Sequence, residues 1–180
     1  MNDADAKMGK SVEATREDFA TIRAGRANPA MFAKITADYY GTQTPLQQLA
    51  SFTSQDARTI LIQPFDIGAM GAIERAIRDS DLGVNPANDG KVLRCVFPEL
   101  TEERRKEFIK LARAKAEDGR VSVRNVRRTA KQALEKLEKD GEVGKDDVTG
   151  AEKRLDATTK THTDKIDELL KHKEAELLEV

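Results

Sequence analysis

The chain has a single cysteine, no tryptophan, and aromatics at only 4% of its 180 residues. One thiol cannot form an intrachain disulfide, so a reducing compartment is the natural home. No apolar run approaches the ~20 residues that a membrane span needs, and no membrane partner is expected. The opening MNDADAKM is acidic and has no apolar stretch, unlike a secretory signal, and it is not Arg- and Ser-rich like a transit segment. A cytoplasmic location is therefore expected. Internal repeats and low-complexity segments are absent, and so is a Gly-rich phosphate loop of the Walker type. His162 and His172 lie ten residues apart on one helical stretch, share no face, and make a poor metal pair. Cys95 alternates with Leu93 and Phe97, which marks a core thiol rather than a nucleophile. Carboxylates abound, but no clustered pair stands apart from the solvated helices. No catalytic residue, metal or cofactor is expected, and an enzyme is disfavoured.

What is abundant is charge, at 35% of residues, and it is unevenly placed. Residues 1–29 are neutral, 30–101 carry −2, 102–131 carry +6 and 132–180 carry −5, within a net charge of −1. High charge with few aromatics fits long amphipathic helices better than one thick core. Met8, Val12, Thr15, Phe19 and Ile22 recur at spacings of three and four, predicting a helix over 3–26 that stops before Asn28-Pro29.

Residues 30–101 hold four of the five prolines and several β-like runs: FAKITADYY, LQQLASFT, RTILIQPF and KVLRCVF. YYGTQTP and NPANDG are expected as turns. MGAIERAIRDSDLG is expected as a short helix with Met70, Ile73, Ala76 and Ile77 inward and Gly83 near its end. The whole is a small α/β domain with mixed strands.

Helical periodicity returns after Thr101, expected as N-cap of a helix with a capping box in TEER, reaching about Asp140. DGEVGKDD breaks it. A last helix is expected over about 146–178, with Val148, Leu155, Ile166, Leu169, Leu170 and Leu177 inward. Helices of such length span roughly 50 Å, and each must bury its stripe on neighbours. The fold class is α+β: an elongated three-helix antiparallel bundle, residues 1–29 plus 102–180, with a small domain inserted at 30–101. The connecting strands Asn28, Pro29, Ala30 and Pro98, Glu99, Leu100, Thr101 would form the hinge.

Between Gly119 and Ala133 lie five basic residues and no acid: Arg120, Arg124, Arg127, Arg128 and Lys131. At 100° per residue they share about a third of the helix circumference with Lys106, Lys110 and Arg113. A continuous, solvent-facing basic stripe is expected. Phe108, Leu111, Val126, Ala130, Ala133 and Leu137 fall on another side, and Gly119 marks close approach of a neighbouring helix. Ordinary solvated faces mix both signs, because like charges at i,i+4 repel. Arginine dominates the run and grips phosphate with two N–H groups at once. With so few aromatics, stacking on a single strand is disfavoured, and a structured RNA met through its backbone fits better.

TIRAGRANPAMF, YYGTQTPLQQLAS, DLGVNP, LTEERRKEF and VSVRNVRRTA, in that order and spacing, resemble the ribosome recycling factor family over nearly the whole chain. The resemblance implies an L-shaped, tRNA-like molecule whose small domain is a β/α/β insertion. It implies binding to large-subunit rRNA of the post-termination ribosome. Elongation factor G with GTP then pushes on the small domain and splits the subunits, releasing mRNA and deacylated tRNA. Initiation factor 3 acts after splitting. The factor would act as a monomer and make no covalent bond. Arg23, Arg26, Arg124 and Arg127 match family arginines at the rRNA contact, with Arg128 beside them. Thr129 stands where the family commonly carries an acid, and Gly119 where a better helix former is usual. A coiled-coil adaptor is the competing class, but it has no need of an Arg-rich stripe.

Overall fold

A computed structural model describes residues 2–179. In chain order the elements are α1 (Asn2–Thr21), a 3₁₀ turn (Pro29–Phe32), β1 (Thr36–Tyr39), β2 (Thr42–Pro45), the single-turn α2 (Leu46–Leu49), β3 (Ala50–Ser54), β4 (Thr59–Pro64), a 3₁₀ turn (Ile67–Ala69), α3 (Met70–Arg78), β5 (Ala87–Asn88), β6 (Leu93–Val96), α4 (Glu102–Lys139) and α5 (Lys145–Leu178). They form two compact units. One comprises the chain up to Phe19 with Ile109–Ala175, the other Ala20–Phe108 with the residues from Glu176 onward.

The first unit is a three-helix bundle. Ala4, Met8, Val12, Thr15 and Phe19 form the buried line of α1. On α5, Val148, Ala151, Leu155, His162, Ile166 and Lys173 are buried, while Leu169 and Leu170 are half-buried. The buried line of α4 in this unit is Ala112, Ala116, Gly119 and Val123. This differs from the expected apolar side: Leu111 is 43% exposed and Ala133 is exposed, whereas Val126 and Ala130 are half-buried. The reason is distance. Small residues allow two neighbouring helices to approach α4 closely, so they and not the larger side chains face the core. A Cβ on Gly119 would stand 2.2 Å from Thr15 Oγ1 and 3.2 Å from Ile166 Cδ1, which is the close approach its position predicts. Ser11 and Ser122 share a hydrogen bond of 2.8 Å one turn away. These contacts run α1 against α4 in opposite directions, and Gly9 beside His162 runs α1 parallel to α5. The imidazole Nε2 of His162 bonds Asp5 Oδ1 at 2.7 Å, so this histidine packs in the bundle.

The ends of α4 follow from local chemistry. Thr101 Oγ1 accepts the Arg104 N–H at 3.2 Å, as an N-cap should. The reciprocal half of the expected capping box is missing, because the residue at that position is Arg104. Its guanidinium turns instead to Glu107 at 2.7 Å and lies over the Phe108 ring. At the far end the Glu142 N–H reaches Leu137 C=O and the Gly141 N–H reaches Glu138 C=O, with Gly141 at φ +73°. That is a Schellman stop, which glycine's freedom at positive φ favours.

The second unit is built on a four-stranded sheet of order β3-β4-β6-β5 and a separate β1–β2 hairpin. Every pairing is antiparallel, not mixed. YYGTQTP is a turn only at Tyr40-Gly41, both at positive φ, with β2 following at once. NPANDG likewise contains β5. Ile60 pairs with Cys95 and Ile62 with Leu93, so the pleat sends all four to the core with Phe32, Leu46, Ile73, Ile77 and Phe97. Of the expected inward face of α3, Met70, Ile73 and Ile77 are buried and Ala76 half-buried. Burial pushes the Cys95 thiol up to about 11.

The helix predicted over 3–26 ends at Thr21. The sheet unit takes over the backbone beyond it: the Ala27 N–H donates to Ala57 C=O at 2.8 Å, and Ile22 and Ala27 are buried. All seven residues read as the hinge lie within this unit.

Gly119→Ala should destabilise the protein by about 1–2 kcal/mol, the overpacking penalty outweighing the ~1 kcal/mol gained in helix propensity. Adding Thr15→Ala should give less than the sum of the two losses. Gly150→Ala, where a Cβ meets nothing within 4 Å, should instead stabilise by up to ~1 kcal/mol. Urea unfolding of the full chain measures all three, and a stabilised Gly119→Ala would refute the close contact. Cys95 should resist a disulfide-exchange reagent until the chain is unfolded. Prompt labelling of the native protein would show that the thiol is accessible.

Candidate nucleic-acid interface

The basic run sits on α4 immediately beside its buried line, at a heptad-like spacing that faces α5. Arg113 Nε lies 2.6 Å from Glu174 Oε1. Arg120 places Nη2 at 2.6 Å and Nε at 2.8 Å from Asp167 Oδ1. Arg127 Nε lies 2.7 Å from Asp156 Oδ1. Lys131 Nζ lies 3.5 Å from Glu152 Oε1 and 3.8 Å from Glu135 Oε1. As the α4 numbers rise the α5 numbers fall, so the four contacts form one ladder along two antiparallel helices.

A second carboxylate works within α4. Glu117 accepts from Arg120 Nη1 at 3.1 Å and from Arg124 Nη2. Hydrogen bonds from Arg124, and then from Arg120, hold its carboxyl below the usual glutamate range. The hydrogen bond to Asp167 in turn holds Arg120 above its ordinary value. The stripe is thus not the uniformly solvent-facing band its sequence predicts. Arg124 and Arg128 are exposed, whereas Arg120, Arg127 and Lys131 are half-buried against α5. Arg128 has no ion-pair partner among the described residues. The stretch itself contains no acid, but the neighbouring helix supplies three.

Arg23 and Arg26 belong to the other compact unit. Arg26 is exposed, in the coil after Gly25. Arg23 is 6% exposed, with its guanidinium 5.5 Å from the Phe97 ring centre and its Nε without a hydrogen-bond partner. Burial, with Arg58 nearby, holds it below the ordinary arginine range. So the structure places Arg120, Arg124, Arg127, Arg128 and Lys131 on one helix face and puts Arg23 and Arg26 in a different unit.

Sequence reasoning missed the α5 partners, Glu152, Asp156, Asp167 and Glu174. Their signal is present: Arg113, Arg120 and Arg127 repeat every seven residues, as do Asp167 and Glu174. Two such helices packed antiparallel must bring opposite charges together. The sheet unit also exposes Tyr40, Phe65 and Ile67. The Tyr39 hydroxyl donates to Asp66 Oδ2 at 3.0 Å, fastening the hairpin turn to the Phe65–Ile67 segment. Among the described residues no group of three or more His, Cys, Asp or Glu is placed to hold a metal, and no helix is long and apolar enough to cross a membrane.

Residues 15–178 match the family model for ribosome recycling factor. The ribosome-recycling factor of Nocardioides sp. is 77% identical over the whole of this chain and 97% of its own length. That of Cutibacterium acnes is 60% identical over the whole chain and 98% of its own length. A solution structure of the ribosome recycling factor superposes with a TM-score of 0.76 at 38% identity, covering 99% of this chain and 95% of that one. A second structure, of the T. thermophilus ribosome recycling factor with E. coli elongation factor G bound to the E. coli post-termination complex, matches with a TM-score of 0.65 at 43% identity, covering 99% and 96%.

Proposed function

The chain belongs to the ribosome recycling factor family, whose members are non-catalytic translation factors, and from that premise we propose that it recycles ribosomes in the cytoplasm. It binds the post-termination ribosome and, with elongation factor G and GTP, splits it into subunits. Messenger RNA and deacylated tRNA are thereby released, and initiation factor 3 keeps the subunits apart. The observation that carries this reading is identity of 77% across the entire chain with a ribosome-recycling factor.

The division of labour follows from the two kinds of surface. The helical part, residues 1–29 and 102–180, meets large-subunit rRNA. Arg120, Arg124, Arg127, Arg128 and Lys131 supply cations along one face of α4, and Arg26 adds an exposed cation elsewhere. Arg23 joins this set only by releasing Phe97. Arginine forks on phosphate give position and strength without reading base identity. Residues 30–101 act as the lever on which elongation factor G works. Asn28–Ala30 and Pro98–Thr101 are the strands about which it turns, and Pro29 and Pro98 bring no backbone N–H to restrain them. It acts as a monomer.

Light scattering with purified ribosomes, elongation factor G, GTP and initiation factor 3 tests the assignment: the chain should split them, and no dissociation would reject it. Arg127→Ala and Arg128→Ala should each weaken large-subunit binding by about 1–3 kcal/mol, the scale of a charge-assisted contact. Melting should hardly change, since a solvent-accessible ion pair such as Arg127–Asp156, with Arg127 half-buried and Asp156 exposed, contributes under ~1 kcal/mol. Binding should also fall steeply with salt, as counterion release requires. Unchanged affinity with a lowered melting temperature would make these arginines structural.

A further inference from the structure

The ladder between α4 and α5 gives the acids of α5 a task. Asp156 and Asp167 hold the guanidiniums of Arg127 and Arg120 at 2.7 Å and 2.6 Å. A carboxylate offers these forks the same kind of oxygens that a phosphate would. Both acids come from a different helix, and each meets its arginine across the seam between α4 and α5. The two carboxylates are exposed, at 58% and 54% of their side-chain surface, while Arg127 and Arg120 are half-buried. Ion pairs with one partner in solvent are weak and exchange readily. Arg128, beside Arg127, is exposed and unpaired among the described residues.

We propose that Asp156 and Asp167 are specificity-determining residues, which occupy Arg127 and, together with Glu117, Arg120 so that stray polyanions bind poorly. Arg128 takes the first phosphate. The two carboxylates yield only to an RNA whose phosphates reach both guanidiniums while Arg128 is held. An isolated or flexible strand meets the paired arginines one at a time, and each exchange gains little. A structured RNA of matching shape displaces both together. Specificity then comes from a repulsive element placed beside the attractive one. This rests on the RNA-binding reading above.

The test compares Asp156→Asn/Asp167→Asn with the wild type for two ligands, single-stranded poly(U) and the large ribosomal subunit. Asparagine keeps the shape and removes the charge, so circular dichroism and melting should be close to wild type. Each single variant serves if the double does not fold. Poly(U) should bind roughly two- to thirtyfold tighter, the range expected for freeing Arg127 and loosening Arg120, which keeps Glu117. Its salt slope should steepen by up to about 1.4, at ~0.7 per phosphate neutralised on a single strand. Subunit affinity should rise less, so the ratio of the two affinities falls. Glu138→Gln/Glu168→Gln makes the same change in net charge, with one acid from α4 and one from α5 and neither in the ladder, and should leave poly(U) binding near wild type. Unchanged poly(U) affinity in the aspartate variant, an equal gain in the glutamate control, or a constant affinity ratio would each overturn the proposal. A wild-type chain that does not bind the large subunit would refute the ribosomal reading, while the poly(U) comparison would still decide the masking.

Discussion

The bundle depends on the narrow seam that α4 presents. Ala112, Ala116 and Gly119 keep the helix surface flat, and Gly119 leaves no room for even a methyl group between itself and Thr15. That closeness sets the register of α1 against α4, recorded by the Ser11–Ser122 bond. Ile166 of α5 meets the same glycine, so one position fixes both neighbours. With α5 locked there, Asp167 arrives beside Arg120, one residue further along each helix. The electrostatics of the basic face therefore follow from a packing constraint. A bulkier seam would push α5 outward and leave the arginines unpaired. The ~1 kcal/mol that glycine costs a helix interior is the smaller term.

The arrangement of elements was largely legible in the sequence. Two long runs of three-and-four spacing, broken by DGEVG, locate α4 and α5 to within a residue or two. The inserted β-rich stretch stood out through its prolines and thin charge. Less legible was anything decided by a partner. α1 ends five residues before its expected end, because the pattern through Ile22 is periodic while the hydrogen bond from Ala27 to Ala57 ties the chain to the sheet unit. The strands β2 and β5 hid inside turn-rich segments, since Thr42–Pro45 and Ala87–Asn88 are too short to carry a pattern of their own.

The candidate site divides the same way. The positions of Arg120, Arg124, Arg127, Arg128 and Lys131 on one face follow from helix geometry alone. Their surroundings do not, because those belong to α5, dozens of residues away in the chain. A count of charges along α4 finds no acid between Gly119 and Ala133, yet the folded face is close to balanced. Arg23 shows the converse. Its motif places it with family arginines at the rRNA contact, but tertiary packing buries it over Phe97. In both cases the misreading treats a one-dimensional charge pattern as a surface, which holds only for groups that no other element covers.

A paired arginine is also an ordered one. Fixing a long side chain costs up to about 2 kcal/mol of rotamer entropy, and in the free protein that ordering has already been met at Arg113, Arg120 and Arg127 by their α5 carboxylates. A phosphate arriving at one of these forks finds it aimed and has to overcome only a weak exposed pair, of order 0.2–1 kcal/mol. The carboxylates therefore act in two directions at once. They lower the affinity of any single cation for a stray anion, and they hold the set in a fixed spacing that a rigid RNA backbone can match. The second effect grows with the number of phosphates that bind together, because each preordered arginine spares its own entropy. The first is a fixed cost per site. On the proposed reading the preordering offsets part of the masking when several phosphates bind together, and a strand that meets the arginines singly feels the masking alone.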